Sequence, residues 1–108
     1  MAQFEDREKS FEAKFAHDEE LRFRVMARRN RLVGLWASEK LGLEGEAAQD
    51  YAAAVVKADI GSADQDDVYR KVKADLDARA AGVSEHQVRR EIDDLYDLAR
   101  RQIMSETK

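Results

Sequence analysis

Val68, Val72, Leu76 and Ala80 stand at intervals of four, and most residues between them are charged. Apolar residues four apart stay near one side of an α-helix, and the strict every-other-residue alternation of a strand is scarce in this chain, so the repeat points to helices. Leu21, Val25, Leu32 and Trp36 repeat the pattern at spacings of four, seven and four. Ala48, Tyr51, Ala52, Val55 and Val56 form a third stripe, and Val88, Ile92, Leu95, Tyr96, Ala99 and Ile103 a fourth. Proline is absent, so nothing interrupts the helices from within.

Capping chemistry divides the stripes. Asp18, followed by Glu19 and Glu20, reads as the N-cap and acidic first turn of the first helix. Leu41 closes that helix and Gly42 supplies the left-handed residue past its end. Glu46 opens the second helix, which fails around Asp59-Ile60-Gly61. Ser62 to Gln65 matches the S-x-x-Q capping box, with Asp64 as the competing cap, and the third helix then ends at Gly82. Ser84 to Gln87 is a second box, and the tail from Ser105 is expected to fray. The reading is all-α: a four-helix bundle over residues 18–108, with helices near 18–41, 46–59, 65–81 and 85–104.

The first seventeen residues stand apart. Drawn as a helix, Phe4, Phe11 and Phe15 fall within about 40° of one another, backed by Glu5, Arg7, Glu8, Lys9, Glu12 and Lys14. Glu5 and Lys9 form a favourable i,i+4 pair, while Glu8 and Glu12 repel mildly. Three phenylalanines do not offset the entropy of ordering such a stretch, and a lone short helix is marginal in water. Residues 1–17 are therefore expected to dock on the bundle or to stay mobile until a partner folds them. The alternative is a single helix running from Phe4 through Leu41, but its two stripes would sit about 70° apart.

Chemistry is sparse. The 108 residues carry a net charge of −4 with 39% charged residues, which disfavours nucleic acid as the partner of the whole molecule. Cysteine is absent, excluding disulfides and thiolate chemistry and suiting a reducing cytoplasm. No apolar run approaches the ~18 residues of a membrane span, and the charged start is unlike a signal peptide. His17 and His86 lack an acidic constellation for a metal, and His17 reads as a solvated residue at a helix start. Neither a phosphate loop nor a G-x-S-x-G elbow occurs, so no catalytic residue is expected. The exception to this blandness is a run of arginines, Arg22, Arg24, Arg28, Arg29 and Arg31, with no acid from Leu21 through Trp36. One reading pairs them with Asp64, Asp66, Asp67, Asp93 and Asp94 of the later helices. Another makes Arg22, Arg28, Arg29 and Arg31, with the flat face of Trp36, a phosphate or nucleotide site, and a third gives them to nucleic acid.

Arg7-Glu8-Lys9-x-Phe11-Glu12-x-Lys14-Phe15-Ala16-x-Asp18-Glu19-Glu20, then Ala27-Arg28-Arg29-Asn30, Leu35-Trp36-Ala37 and Leu41-Gly42, closely resemble the zeta subunit of alphaproteobacterial F-type ATP synthases. The resemblance extends over essentially the whole chain. It departs at Arg31 and in Arg22-Phe23-Arg24, where lysine is more usual, a conservative change unless the contact is bidentate. It implies a non-enzymatic regulator that inhibits ATP hydrolysis by the soluble catalytic head, in the cytoplasm and peripheral to the membrane. The inhibitory part is the N-terminal segment, and the bundle carries and positions it. The implied contacts are Phe4, Glu5, Arg7, Glu8, Lys9, Phe11, Glu12, Lys14 and Phe15, wedged between catalytic and non-catalytic subunits near the rotating shaft. No cofactor is required, but an adenine nucleotide, ADP or ATP, is an implied ligand of the bundle. A free-standing nucleotide-responsive helical module remains the alternative.

Overall fold

In the computed structural model, residues 18–60 and 66–106 are described. They form four helices and no strand: α1 (Glu19–Lys40), α2 (Gly45–Asp59), α3 (Asp67–Ala78) and α4 (Glu85–Glu106). The architecture is an all-α four-helix bundle. Helix α1 is its axle, packing against each of the other three.

The helix ends follow local chemistry. Asp18 has extended backbone, and its Oδ1 accepts from the Leu21 N–H at 3.1 Å, so α1 starts after it rather than continuing straight through. At the other end Gly42 (φ 78°) takes the left-handed position. Its N–H donates to the Glu39 carbonyl and that of Leu43 to the Ser38 carbonyl, closing a Schellman motif. The Ser84 box forms reciprocally: the Ser84 N–H donates to Gln87 Oε1 at 2.9 Å and the Gln87 N–H to Ser84 Oγ at 3.1 Å. The box proposed over Ser62–Gln65 lies outside the described residues.

Helix α3 is shorter at both ends than residues 65–81. It stops at Ala78, and Ala80 (φ 52°) is the left-handed residue of a second Schellman turn, with Ala81 N–H donating to the Leu76 carbonyl. Ala80 is therefore exposed and off the apolar stripe, which consists of the buried Val68, Val72 and Leu76. The repeat of four extends one turn past the point where the chain turns toward α4, and the buried Val83 rewards the earlier turn. Helix α4 runs two residues past the expected 104, through Glu106, whose carboxylate is held by Arg28.

The core lies in two clusters along α1. Toward its C-terminal half, Val33, Ala37 and Leu41 meet Val55 of α2, Val68, Val72 and Leu76 of α3, and Val88 of α4. Toward its N-terminal half, Leu21 and Val25 meet Ala99 and Ile103 of α4. Sequence spacing places Leu32 and Trp36 on the α1 core stripe; in the structure both are half-buried, while Val33, Gly34 and Ala37 are buried. The cause is that α1 is covered from different sides at its two ends, so no single stripe describes it. At Gly34 the backbones of α1 and α2 nearly touch, and a Cβ there would lie 2.6 Å from Ala52 Cα. Asn30, also buried, donates to Asp59 Oδ2 at 3.0 Å and ties the end of α2 to α1.

Candidate functional site

Successive residues in a helix turn by about 100°, and this divides the arginine run of α1 between two sides. Arg24, Arg28 and Arg31 point one way. Arg28 makes a bidentate pair with Glu106 (2.8 and 2.9 Å) and also donates to Gln102 Oε1 at 2.8 Å. Arg24 reaches the same carboxylate at 4.0 Å, and Arg31 donates to Gln49 Oε1 at 2.7 Å. The Glu106 carboxyl is consequently held below its ordinary range, chiefly by the Arg28 hydrogen bonds.

Arg22 and Arg29 point the other way, into a cleft of about 490 Å³ between α1, α3 and α4. Tyr69, Arg89, Ile92 and Tyr96 line it, and Asp66 and Asp93 stand at its sides. Arg89 lies over the Tyr69 ring, its guanidinium carbon 3.8 Å from the centroid, while bonding Asp66 (3.4 Å) and Glu85 (3.2 Å). Burial pushes the Arg29 guanidinium below its ordinary value, and the fields of Asp59 and Asp93 oppose that shift. Its Nε donates to Asn30 Oδ1 at 2.9 Å, which fixes the guanidinium plane. Three guanidinium groups and two phenol rings around one cleft suit an anion carrying a planar ring.

The five residues proposed as a nucleotide site are thus not brought together. Arg22 and Arg29 share the cleft, Arg28 and Arg31 lie on the opposite side of α1, and Trp36 packs half-buried against the larger core cluster. Of the expected aspartates, Asp93 shares the cleft with Arg29 and its charge favours that guanidinium. Asp66 bonds Arg89, Asp67 bonds Arg70 and Asp94 lies near Arg90, whereas the acid that Arg24 and Arg28 find is Glu106. Position along the chain hid this pairing, because Arg28 and Glu106 are 78 residues apart. That Tyr69, Arg89 and Tyr96 (placed by spacing on the apolar stripe of the last helix) meet at this cleft was hidden for the same reason: they sit on three different turns of two other helices. Asp64, His17 and all of Phe4, Glu5, Arg7, Glu8, Lys9, Phe11, Glu12, Lys14 and Phe15 lie outside the described residues.

Among the described residues no group of three or more His, Asp or Glu is placed to hold a metal ion, and no helix is long and apolar enough to cross a membrane. His86 is exposed on α4.

Against known families, the model of the ATPase inhibitor subunit zeta matches residues 1–102. The chain belongs to that family. The match takes in the N-terminal segment as well as the bundle. No curated protein matches. Among solved structures, a protein determined by solution NMR is 45% identical, with a TM-score of 0.70 over 80% of this chain and 98% of its own. The zeta-family bundle therefore has a relative of the same fold in solution.

Proposed function

We propose that this chain inhibits ATP hydrolysis by the F-type ATP synthase, as a non-enzymatic subunit whose N-terminal segment enters the catalytic head and blocks rotation in the hydrolytic direction. The match to the inhibitor family over residues 1–102 carries the reading. The segment supplies the means: drawn as a helix, Phe4, Phe11 and Phe15 share a narrow apolar face that suits a cleft between catalytic and non-catalytic subunits near the shaft. Glu5, Arg7, Glu8, Lys9, Glu12 and Lys14 are the polar contacts to its walls. A wedge acts by sterics and needs no chemistry of its own. The protein works in the cytoplasm, peripheral to the membrane-bound synthase. Deleting residues 1–15 abolishes inhibition of the ATPase and leaves the thermal unfolding of the bundle nearly unchanged. Undiminished inhibition by the truncated chain refutes the assignment.

A second reading concerns the ligand of the bundle. The cleft of Arg22, Arg29 and Arg89, with Tyr69 and Tyr96, favours an adenine nucleotide there, the phosphates on the guanidinium groups and the base against a phenol. Calorimetric titration with ADP gives saturable binding that Arg29→Met weakens and Arg31→Met leaves unchanged; the reverse order of effects rejects this cleft.

A further inference from the structure

The three helix ends that lead into a link are not closed alike. Helices α1 and α3 end in Schellman turns, with Gly42 and Ala80 in the left-handed position. Helix α2 ends without one: Ile60, just past its end, has extended backbone (ψ 128°), and its N–H donates to the Lys57 carbonyl at 3.1 Å. The last residue of α2 is moreover Asp59, a carboxylate at the end where the helix dipole disfavours one. Local chemistry does not account for a stable last turn here, so the turn is held from outside the helix.

What holds it comes from α1. Asn30 is 1% exposed, and its amide lies between two charged groups: Arg29 Nε donates to its Oδ1 at 2.9 Å, and its Nδ2 donates to Asp59 Oδ2 at 3.0 Å. A guanidinium only donates and a carboxylate only accepts, so these partners fix which way the amide faces. Positive charge at its oxygen and negative charge at its nitrogen polarise the amide in one sense, and each bond strengthens the other. The close contact of Gly34 with Ala52 lies about 10 Å back along α2 from Asp59. Val55 is buried beyond that contact, and Asn30 then anchors the final turn.

Arg29 itself faces another side of α1, toward α3 and α4, where Tyr69 and Tyr96 stand. Burial opposes its charge there, and the fields of Asp59 and Asp93 sustain it. Asp59 therefore supports the guanidinium as the guanidinium supports Asp59, with the buried amide between them.

We infer that Arg29, Asn30 and Asp59 form a clasp through α1, in which the charge of Arg29, relayed by the buried Asn30 amide, keeps the last turn of α2 closed. The turn from Val56 to Asp59 is then a local opening unit, released without unfolding the bundle. Its closure answers to the state of Arg29 on another side of α1, so a change of charge at Arg29 is felt at the end of α2.

The test follows amide exchange in the full-length chain by NMR. Arg29→Met keeps an unbranched stem and removes the charge. It accelerates exchange at Val56–Ala58 by about tenfold, while Val25, Ala99 and Ile103 of the smaller core cluster exchange as in the wild type. Equal acceleration in both places makes the effect global and overturns the proposal, as does no acceleration in α2. Asp59→Ala, at a partly exposed position, produces the same local acceleration, and Arg29→Met added to it contributes little more. Accelerations that multiply in the double variant refute the clasp. The Asn30 side chain reports the relay directly: its Nδ2 proton, deshielded by the carboxylate, moves upfield in Asp59→Ala and also in Arg29→Met. A resonance that moves in Asp59→Ala alone leaves Arg29 out of the hold on α2 and overturns the relay.

Discussion

Gly34 is the position where a single carbon tests the packing of the whole bundle. A Cβ built there lies 2.6 Å from Ala52 Cα, 3.2 Å from Ala52 Cβ and 3.3 Å from Val55 Cβ. The nearest atom belongs to backbone, so no side-chain rotation relieves it; α1 and α2 must separate by about 0.8 Å to restore a 3.4 Å contact. Overpacking of this kind costs about 1–3 kcal/mol, and a rigid backbone neighbour puts Gly34→Ala in the upper part of that range. Alanine returns about 1 kcal/mol through its better helix propensity. The net expectation is a loss of about 1–2 kcal/mol, equivalent to a fall in Tm of about 5–15 °C for a domain of this size. Urea unfolding followed by circular dichroism measures it, with Trp36 fluorescence reporting separately on the larger cluster. The second substitution Ala52→Gly recovers little, because it removes the Cβ and leaves the closer Cα in place. A Gly34→Ala protein as stable as the wild type, or full rescue by Ala52→Gly, refutes the close-approach argument.

Three further outcomes follow from local geometry. Ala80→Gly removes a left-handed alanine (φ 52°) at an exposed turn, and the relief of about 1–2 kcal/mol outweighs glycine's added unfolded-state entropy of about 0.4–1 kcal/mol, so the midpoint in urea rises. Acid loosens the end of α4: the Glu106 carboxyl is lowered by Arg28, so its contribution is complete above the ordinary value of 4.5 and is lost as pH falls through the folded value; amide exchange of Gln102–Glu106 then accelerates below that pH in the wild type and is already fast at neutral pH in Arg28→Ala. The Tyr51 hydroxyl donates to Asp75 Oδ2 at 2.7 Å, and burial first, then that bond, raises its ionisation well above the ordinary 10.0. Its contribution is complete below pH 10 and is lost as pH climbs toward the raised value, so Tyr51→Phe destabilises by about 1 kcal/mol near neutrality and flattens the alkaline end of the stability profile.

How much of this was legible in the residues depends on the range over which each feature is decided. Asp18, Gly42 and the Ser84–Gln87 box act within four residues, and each forms as its local chemistry requires. The apolar repeats of α3 and α4 are equally local, because each of those helices buries one side throughout. Helix α1 escaped such reading: α4 covers one side of its first half, α2 and α3 another side of its second, and Val33 and Ala37 go inside where Leu32 and Trp36 were expected. The arginine run shows the same division. Its presence, and the excess of positive charge it brings, belong to the chain as written. Which arginines share a cleft follows from the 100° turn of the helix, and what neutralises them follows from where α4 ends. Helix type and the ends capped at Asp18, Gly42 and Ser84–Gln87 were thus determined by the sequence itself, since backbone propensity and capping depend on near neighbours, whereas the end of α3 followed the burial of Val83. Burial, ion pairing and the assembly of Arg22, Arg29, Tyr69, Arg89 and Tyr96 were decided only by the tertiary structure, because each needs residues that no local interaction brings together.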